Sequence, residues 1–220
     1  MTHTDYTNRF AIDPRAAAGF GTAELRENFL LPPLFVAERI QLHYTNYDRM
    51  IVGGAMPTSA PLSLETIKPA GTDTLLARRE LIAVNIGGAG IVVVDGEEFQ
   101  AGTRDMVYAG MGASVTFRSV SAEQPAKFYL LSAPAHVRHP AKHIGISDAK
   151  RVDLGSQATS NERSIFQFIH PDGVRTCQLV VGMTTLLKAR CGTPCPPTSM
   201  TGGWRPISIS ICRKRPASCI

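Results

Sequence analysis

Gly90-Ile91-Val92-Val93-Val94-Asp95-Gly96-Glu97-Glu98-Phe99 decides how this chain folds. A β-branched apolar run meets Asp-Gly, and a polar run closing on an aromatic residue follows. Glycine accepts the positive φ that a two-residue turn requires, so the stretch predicts a pair of antiparallel strands. Immediately before it, Gly87-Gly88-Ala89-Gly90 allows a sharp bend or a close approach of backbones, as Gly53-Gly54 does further upstream. The Gly87 to Gly90 spacing is not that of a dinucleotide-binding loop, and β residues rather than a helix come after it.

Outward from this hairpin, short β-rich runs broken by Gly, Pro, Asp and Asn recur at the intervals of a sandwich or barrel. Strands are predicted at Phe35–Leu42, Arg49–Val52, Leu81–Ile86, Gly90–Val94, Asp105–Ala109, Ser114–Arg118 and Lys127–Ser132. Residues 1–33 are mixed and polar, with one helix predicted at Thr22–Leu30, capped by Thr22 and carrying Leu25, Phe29 and Leu30 on its apolar face. Pro32 and Pro33 end it. Residues 134–156 read as an interdomain connection. His136, His139 and His143 within it could share a metal, but Pro140 opposes a helix and no acidic residue lies between them, so a solvated linker is the reading adopted. A second β-rich unit follows, with strands at Ser164–Ile169 and Thr176–Val181 around the turn His170-Pro171-Asp172-Gly173. The chain thus reads as mainly β, with a first barrel at 34–150, the start of a second at 151–189 and an aberrant tail at 190–220.

With 220 residues, 44% hydrophobic and 7% aromatic, the composition is globular, not disordered or fibrous. No apolar run approaches the roughly 20 residues of a membrane helix, and Asp5, Asn8 and Arg9 interrupt the start where a secretion signal needs an apolar stretch, which points to the cytoplasm. The net charge of +5 is confined to the tail: Arg190 to Ile220 holds five basic residues and no acid, leaving 18 basic against 18 acidic residues before it. Nucleic acid and membrane surfaces are therefore not expected partners. Cys177 reads as a buried thiol in the body. Cys191, Cys195, Cys212 and Cys219 lie in the tail at spacings unlike a zinc template.

Residues 26–188 resemble the 4-deoxy-L-threo-5-hexosulose-uronate ketol-isomerase family, also called 5-keto-4-deoxyuronate isomerases, of bacterial pectin and uronate breakdown. The resemblance rests on Leu25-Arg26-Glu27-Asn28-Phe29-Leu30, Asp48-Arg49-Met50-Ile51-Val52-Gly53-Gly54, Arg78-Arg79-Glu80-Leu81, Asn85-Ile86-Gly87-Gly88-Ala89-Gly90, Pro125-Ala126-Lys127-Phe128-Tyr129, Ala133-Pro134-Ala135-His136, Thr159-Ser160-Asn161 and Thr176-Cys177-Gln178-Leu179. It implies two cupin barrels (double-stranded β-helices) in one chain, a homo-hexamer, and one zinc in the second barrel held by a His-x-His pair, a Glu and a distant His. It also implies conversion of a keto-deoxyuronate, 5-dehydro-4-deoxy-D-glucuronate, to 3-deoxy-D-glycero-2,5-hexodiulosonate.

The family's metal motif should begin soon after Lys188, yet Ala189 to Arg205 contains neither His nor an acid, and no His follows His170. Reading the last base of each codon with the first two of the next, from Cys191 onward, permits Val-Trp-Asn-Thr-Met-Pro-Ala-His-Val-His-Asp-Arg-Arg-Met-Glu-Ala-Tyr-Phe-Tyr-Phe-Asp-Leu-Pro-Glu. That string resembles the missing segment, so residues 190–220 read as a frameshifted tail and the second barrel as incomplete. No metal ligand, no zinc at the family site and negligible activity are expected of this chain, and its catalytic residues stay unassigned. Arg49, Arg79 and His170 are the candidates for substrate contact, because a guanidinium grips a carboxylate bidentately. An Arg–Glu pair tying strands, with Arg78 and Glu80 as neighbours, and a plain turn at His170 are the structural alternatives. A non-catalytic cupin module binding a sugar acid or a protein partner, and a tail that binds zinc through its cysteines, remain as other functional readings.

Overall fold

In the computed structural model of the chain the hairpin forms as the sequence predicts: Asp95 and Gly96 take φ of 51° and 88°, and Gly90–Val94 pairs antiparallel with Glu97–Ala101. Residues 4–31, 33–156, 162–170, 173–186 and 205–211 are described. They fall into two units, Met1–Gly145 and Ile146–Ile220.

The first unit opens with strand β1 (Thr4–Arg9) and helices α1 (Pro14–Ala17) and α2 (Thr22–Phe29). Strands β2 (Ile40–Thr45), β3 (Ile51–Ala55), β4 (Leu62–Ser63) and β5 (Arg79–Asn85) follow, then the hairpin β6 (Gly90–Val94) and β7 (Glu97–Ala101). It ends with β8 (Met106–Ala109), β9 (Val115–Ser119), β10 (Phe128–Pro134) and β11 (Lys142–Ile144). One sheet has the order β1-β2-β3-β10-β5-β8-β11 and the other β4-β9-β6-β7. Alternate residues of each strand point to one face, and Ile40, Leu42, Leu81, Ala83, Val92, Val94, Val107 and Leu130 bury theirs in a shared core. Phe117 of β9 meets Phe128 of β10 with ring centroids 5.2 Å apart, joining the two sheets at that core. This is the cupin arrangement.

Three local departures have physical causes. β1 is parallel to β2 and was not predicted, because Thr4–Arg9 is polar and mostly exposed, so no apolar alternation marks it. β2 starts at Ile40, since Glu38 takes φ of 58° and breaks the extended run that the sequence suggests from Phe35. The predicted helix forms, but the cap position is Gly21, whose N–H donates to Glu24 Oε2 at 2.8 Å, in place of Thr22. The stretch 134–156 is also less of a linker than its composition suggests. Lys142-His143-Ile144 adds to the first sheet by pairing with Tyr108-Val107-Met106, and a side chain at Gly110 would meet the carbonyl of His139.

The described part of the second unit is one sheet in the order β12 (Lys150–Leu154), β13 (Arg163–Ile169), β14 (Leu179–Leu186) and β15 (Arg205–Ile211). β14 starts at Leu179, later than Thr176, and Cys177 lies ahead of the strand and is partly exposed, where the sequence suggested burial. Within the tail, which the sequence reads as aberrant, residues 205–211 pair parallel with Leu179–Thr185. The alternation Ile207-Ser208-Ile209-Ser210-Ile211 suits a strand, and Pro206 is tolerated at a sheet edge. The rest of the tail lies outside the described residues. No helix among the described residues is long and apolar enough to cross a membrane.

Candidate functional site

The core of the first barrel is hydrocarbon, so its inward polar groups sit at strand ends. On β5, Leu81 and Ala83 face the core, and the two-residue period puts Arg79 and Asn85 on the same face at opposite ends. Ser132 shares the inward face of β10 with Phe128 and Leu130.

At one end, Arg79 is 6% exposed. Its Nε donates to Ser132 Oγ at 3.1 Å, and its Nη2 donates to the carbonyls of Arg49 at 2.5 Å and Ser132 at 3.0 Å. Its guanidinium carbon stands 6.0 Å from the centroid of the Tyr44 ring. Burial lowers the Arg79 pKa from 12.5 to about 10, Tyr44 opposes this, and the Arg49 charge adds to it. Arg49 lies in the turn between β2 and β3, exposed, with φ of 56° after Asp48 at 54°. Thr45 closes that turn with its N–H and hydroxyl on the Met50 carbonyl, at 2.8 and 2.9 Å. Glu80 points to the opposite face of β5 and accepts from the Tyr108 hydroxyl at 2.9 Å. Neighbouring residues of a strand face opposite ways, so Arg79 and Glu80 do not pair with each other. Arg78 is exposed and lines an open concavity of about 500 Å³ with Asp73, Thr72 and Thr74.

At the other end, Asn85 is fully buried and uses both halves of its amide. Nδ2 donates to the carbonyls of Gly88 at 2.7 Å and Ala101 at 2.8 Å, while Oδ1 accepts from Gly87 N at 3.0 Å and Lys127 N at 3.3 Å. It ties the glycine loop to β7 and to the start of β10. A side chain at Gly88 would collide with the Gln124 carbonyl, which is the close approach predicted for this loop.

The sequence candidates are thus partly gathered. Arg49 and Arg79 meet at one barrel mouth, joined through the Arg49 carbonyl, and Tyr44 and Ser132 complete the cluster. His170 belongs to the second unit, where its carbonyl accepts from Gly173 N at 3.0 Å and its ring packs over Gly173. His136 is exposed, and His143 Nε2 stands 3.4 Å from Asp105 Oδ2. Among the described residues no three His, Cys, Asp or Glu are placed to share a metal ion. The zinc that the resemblance implies therefore has no fitting donor set there.

The profile of the KduI/IolB family matches residues 37–193. The chain belongs to that family. A 4-deoxy-L-threo-5-hexosulose-uronate ketol-isomerase of Rhizobium meliloti is 65% identical over 185 residues, 84% of this chain and 66% of that protein. A ketol-isomerase of the same name from Cereibacter sphaeroides is 50% identical over 84% of this chain and 65% of its own length. The chain thus spans somewhat under two thirds of these relatives. An IolB-like protein from Salmonella typhimurium superposes with a TM-score of 0.44 at 15% identity, covering 58% of this chain and 46% of that one. A cupin protein from Bacteroides fragilis gives 0.30 at 15% identity, covering 41% and 69%.

Proposed function

We propose that this KduI/IolB family chain descends from an enzyme that interconverts the aldose and ketose forms of a keto-deoxyuronate, and that the chain itself turns over negligibly. The first half rests on one observation, the 65% identity to a relative named for that reaction. Such an isomerisation moves a proton between neighbouring carbons through an enediolate, so it needs an acid–base group and a stabiliser for the developing oxyanion. A bound zinc, which the family resemblance implies, would supply that stabiliser as a Lewis acid.

Support for inactivity comes from the residues past His170, which include no histidine, and from the family match, which stops at residue 193 of 220. The frame-slip reading accounts for both. Resequencing the coding DNA across the Lys188–Cys195 codons tests it, and a frame identical to that of close relatives would contradict it. Activity is tested by assaying the purified chain beside the Rhizobium relative with zinc supplied; turnover within ten-fold of the relative, about 1.4 kcal/mol in barrier, would sink the proposal of inactivity.

We place the chain in the cytoplasm, with a sugar acid as its small-molecule partner and without nucleic-acid or membrane partners. Self-association is part of the same proposal. α2 buries none of its residues, and Leu25, Phe29 and Leu30 are exposed, so its apolar face is free to meet another copy.

A further inference from the structure

We propose that the edge of β14 away from β13 is a strand-accepting surface, that this chain fills it with its own segment Arg205–Ile211, and that the segment thereby keeps the edge from pairing with a second copy. The inference concerns the second unit alone, and it stands whether or not the reading frame slipped.

β13 pairs with β14 along one side, antiparallel from Arg163 opposite Leu186 to Ile169 opposite Val181. Uncovered, the other side would present a row of unpaired N–H and C=O groups, which is a template for any extended chain. β14 invites this pairing, because Leu179-Val180-Val181-Gly182-Met183-Thr184-Thr185-Leu186 holds no charge and no proline to blunt it. β15 occupies the place, in continuous parallel register with Leu179–Thr185.

The register follows the residue pattern. A two-residue period sets Leu179, Val181 and Met183 on one face of β14, and all three are buried. Ile207 stands opposite Val181 and Ile209 opposite Met183, while Ser208 and Ser210 stand opposite Gly182 and Thr184. The isoleucine positions thus extend the apolar row, and a slip of one residue would put the serines there instead. Residues 187–204 also exceed the roughly dozen residues that a parallel connection needs.

Adding a strand moves the exposed edge outward, and the sequence around β15 opposes a further addition. Pro206 lacks an N–H, and Arg205 before the strand and Arg213-Lys214-Arg215-Pro216 after it supply positive charge and a second proline. Two copies approaching at that edge would repel each other. The partner that suits β14 is therefore a short alternating segment with cationic flanks, and the same chain supplies it at the high effective concentration that a covalent connection gives.

Residue-resolved hydrogen exchange of the full chain tests the proposal, because a strand flanked on both sides bonds the N–H of every residue and an edge strand only those of alternate residues. Protection is expected at consecutive amides from Val180 to Thr184. Protection at alternate amides alone, in the wild-type chain, would overturn the proposal with no variant needed. The double variant Ile207→Asp/Ile209→Asp sets two carboxylates at the positions opposite Val181 and Met183. In it the β14 amides that face β15 should lose at least about ten-fold in protection, while those that face β13 keep theirs. A loss that spreads into β13 would show that the whole sheet relies on the strand, and supports the proposal; unchanged protection overturns it. Sedimentation of the same variant should show association beyond that of the wild type and rising with concentration, and identical sedimentation would overturn the guarding role.

Discussion

Two side chains in the first barrel act as connectors, and each makes a measurable prediction. Asn85 satisfies two carbonyls and two N–H groups from three different segments, and its position is fully buried. Asn85→Ala strands all four, and a buried group left without its partner costs on the order of 1–3 kcal/mol. We expect a loss of about 3 kcal/mol or more in urea unfolding, and a loss below about 1 kcal/mol would show that water replaces the amide. Glu38 is the second connector: its Oε1 accepts from Thr58 N at 3.0 Å and Ser59 N at 2.6 Å, and from both hydroxyls. The Thr58 hydroxyl chiefly, then Ser59 and the Thr58 N–H, hold its pKa at about 2, below the ordinary 4.5, against a smaller opposing effect of burial. A carboxyl with a depressed folded pKa stabilises fully above its unfolded value, and that contribution drains away as pH falls through the folded value. Glu38→Gln should therefore cost about 1 kcal/mol at neutral pH, a modest figure because the site is partly exposed, and the gap from wild type should narrow steadily below pH 4.5. A gap independent of pH would mean that the charge is irrelevant there.

At the level of strands, the N-terminal β1 makes the next prediction. His43 on β2 is 2% exposed, shares a 2.6 Å hydrogen bond between Nδ1 and the Thr7 hydroxyl of β1, and has Nε2 buried without a partner among the described residues. Burial, and then the nearby Arg9 charge, lower its pKa from 6.5. The unfolded chain thus takes up a proton before the folded one does, so stability present above pH 6.5 is lost as pH falls towards the folded value. Hydrogen-exchange protection of the Thr4–Arg9 amides, taken relative to the intrinsic exchange rate at each pH, should fall between pH 7 and acid pH more than protection in β5, and His43→Gln should flatten that difference. An equal loss of protection in β5 would refute a local effect. β1 also marks the limit of what could be read from residues alone. The β6–β7 hairpin was legible because Asp95-Gly96 encodes its own turn, and the central strands because apolar β-branched runs announce burial. β1 gave no such sign, since an edge strand with polar residues on both faces looks like a loop. The candidate site behaves in the same way: Arg79 stood out within Arg78-Arg79-Glu80, but its partner Ser132 is 53 positions away. Tyr44 and Ser132 are ordinary strand residues until the sheet order β2-β3-β10-β5 assembles them with Arg79.

For the whole chain, the question is whether any part of it can retain a catalytic cation. Zinc requires three or more N, O or S donors converging in fixed geometry, and second-row support to orient them. From Pro171 to Ile220 the sequence supplies Asp172 and five cysteines as its only conventional ligands besides backbone, and four of those cysteines lie after Ala189. If the reading frame slipped there, these cysteines were never selected as a site, and their spacing should bind weakly if at all. Elemental analysis of the full chain after dialysis against a weak chelator is therefore expected to give far less than one zinc per chain. The opposite result has a definite meaning. Stoichiometric zinc that disappears in Cys191→Ser and Cys195→Ser would make the tail a real metal site, and a segment with a built site is not the product of an accidental shift in register. Stoichiometric zinc that survives those substitutions would require donors in the body of the chain, and His136, His139 and His143 would then be the first to replace.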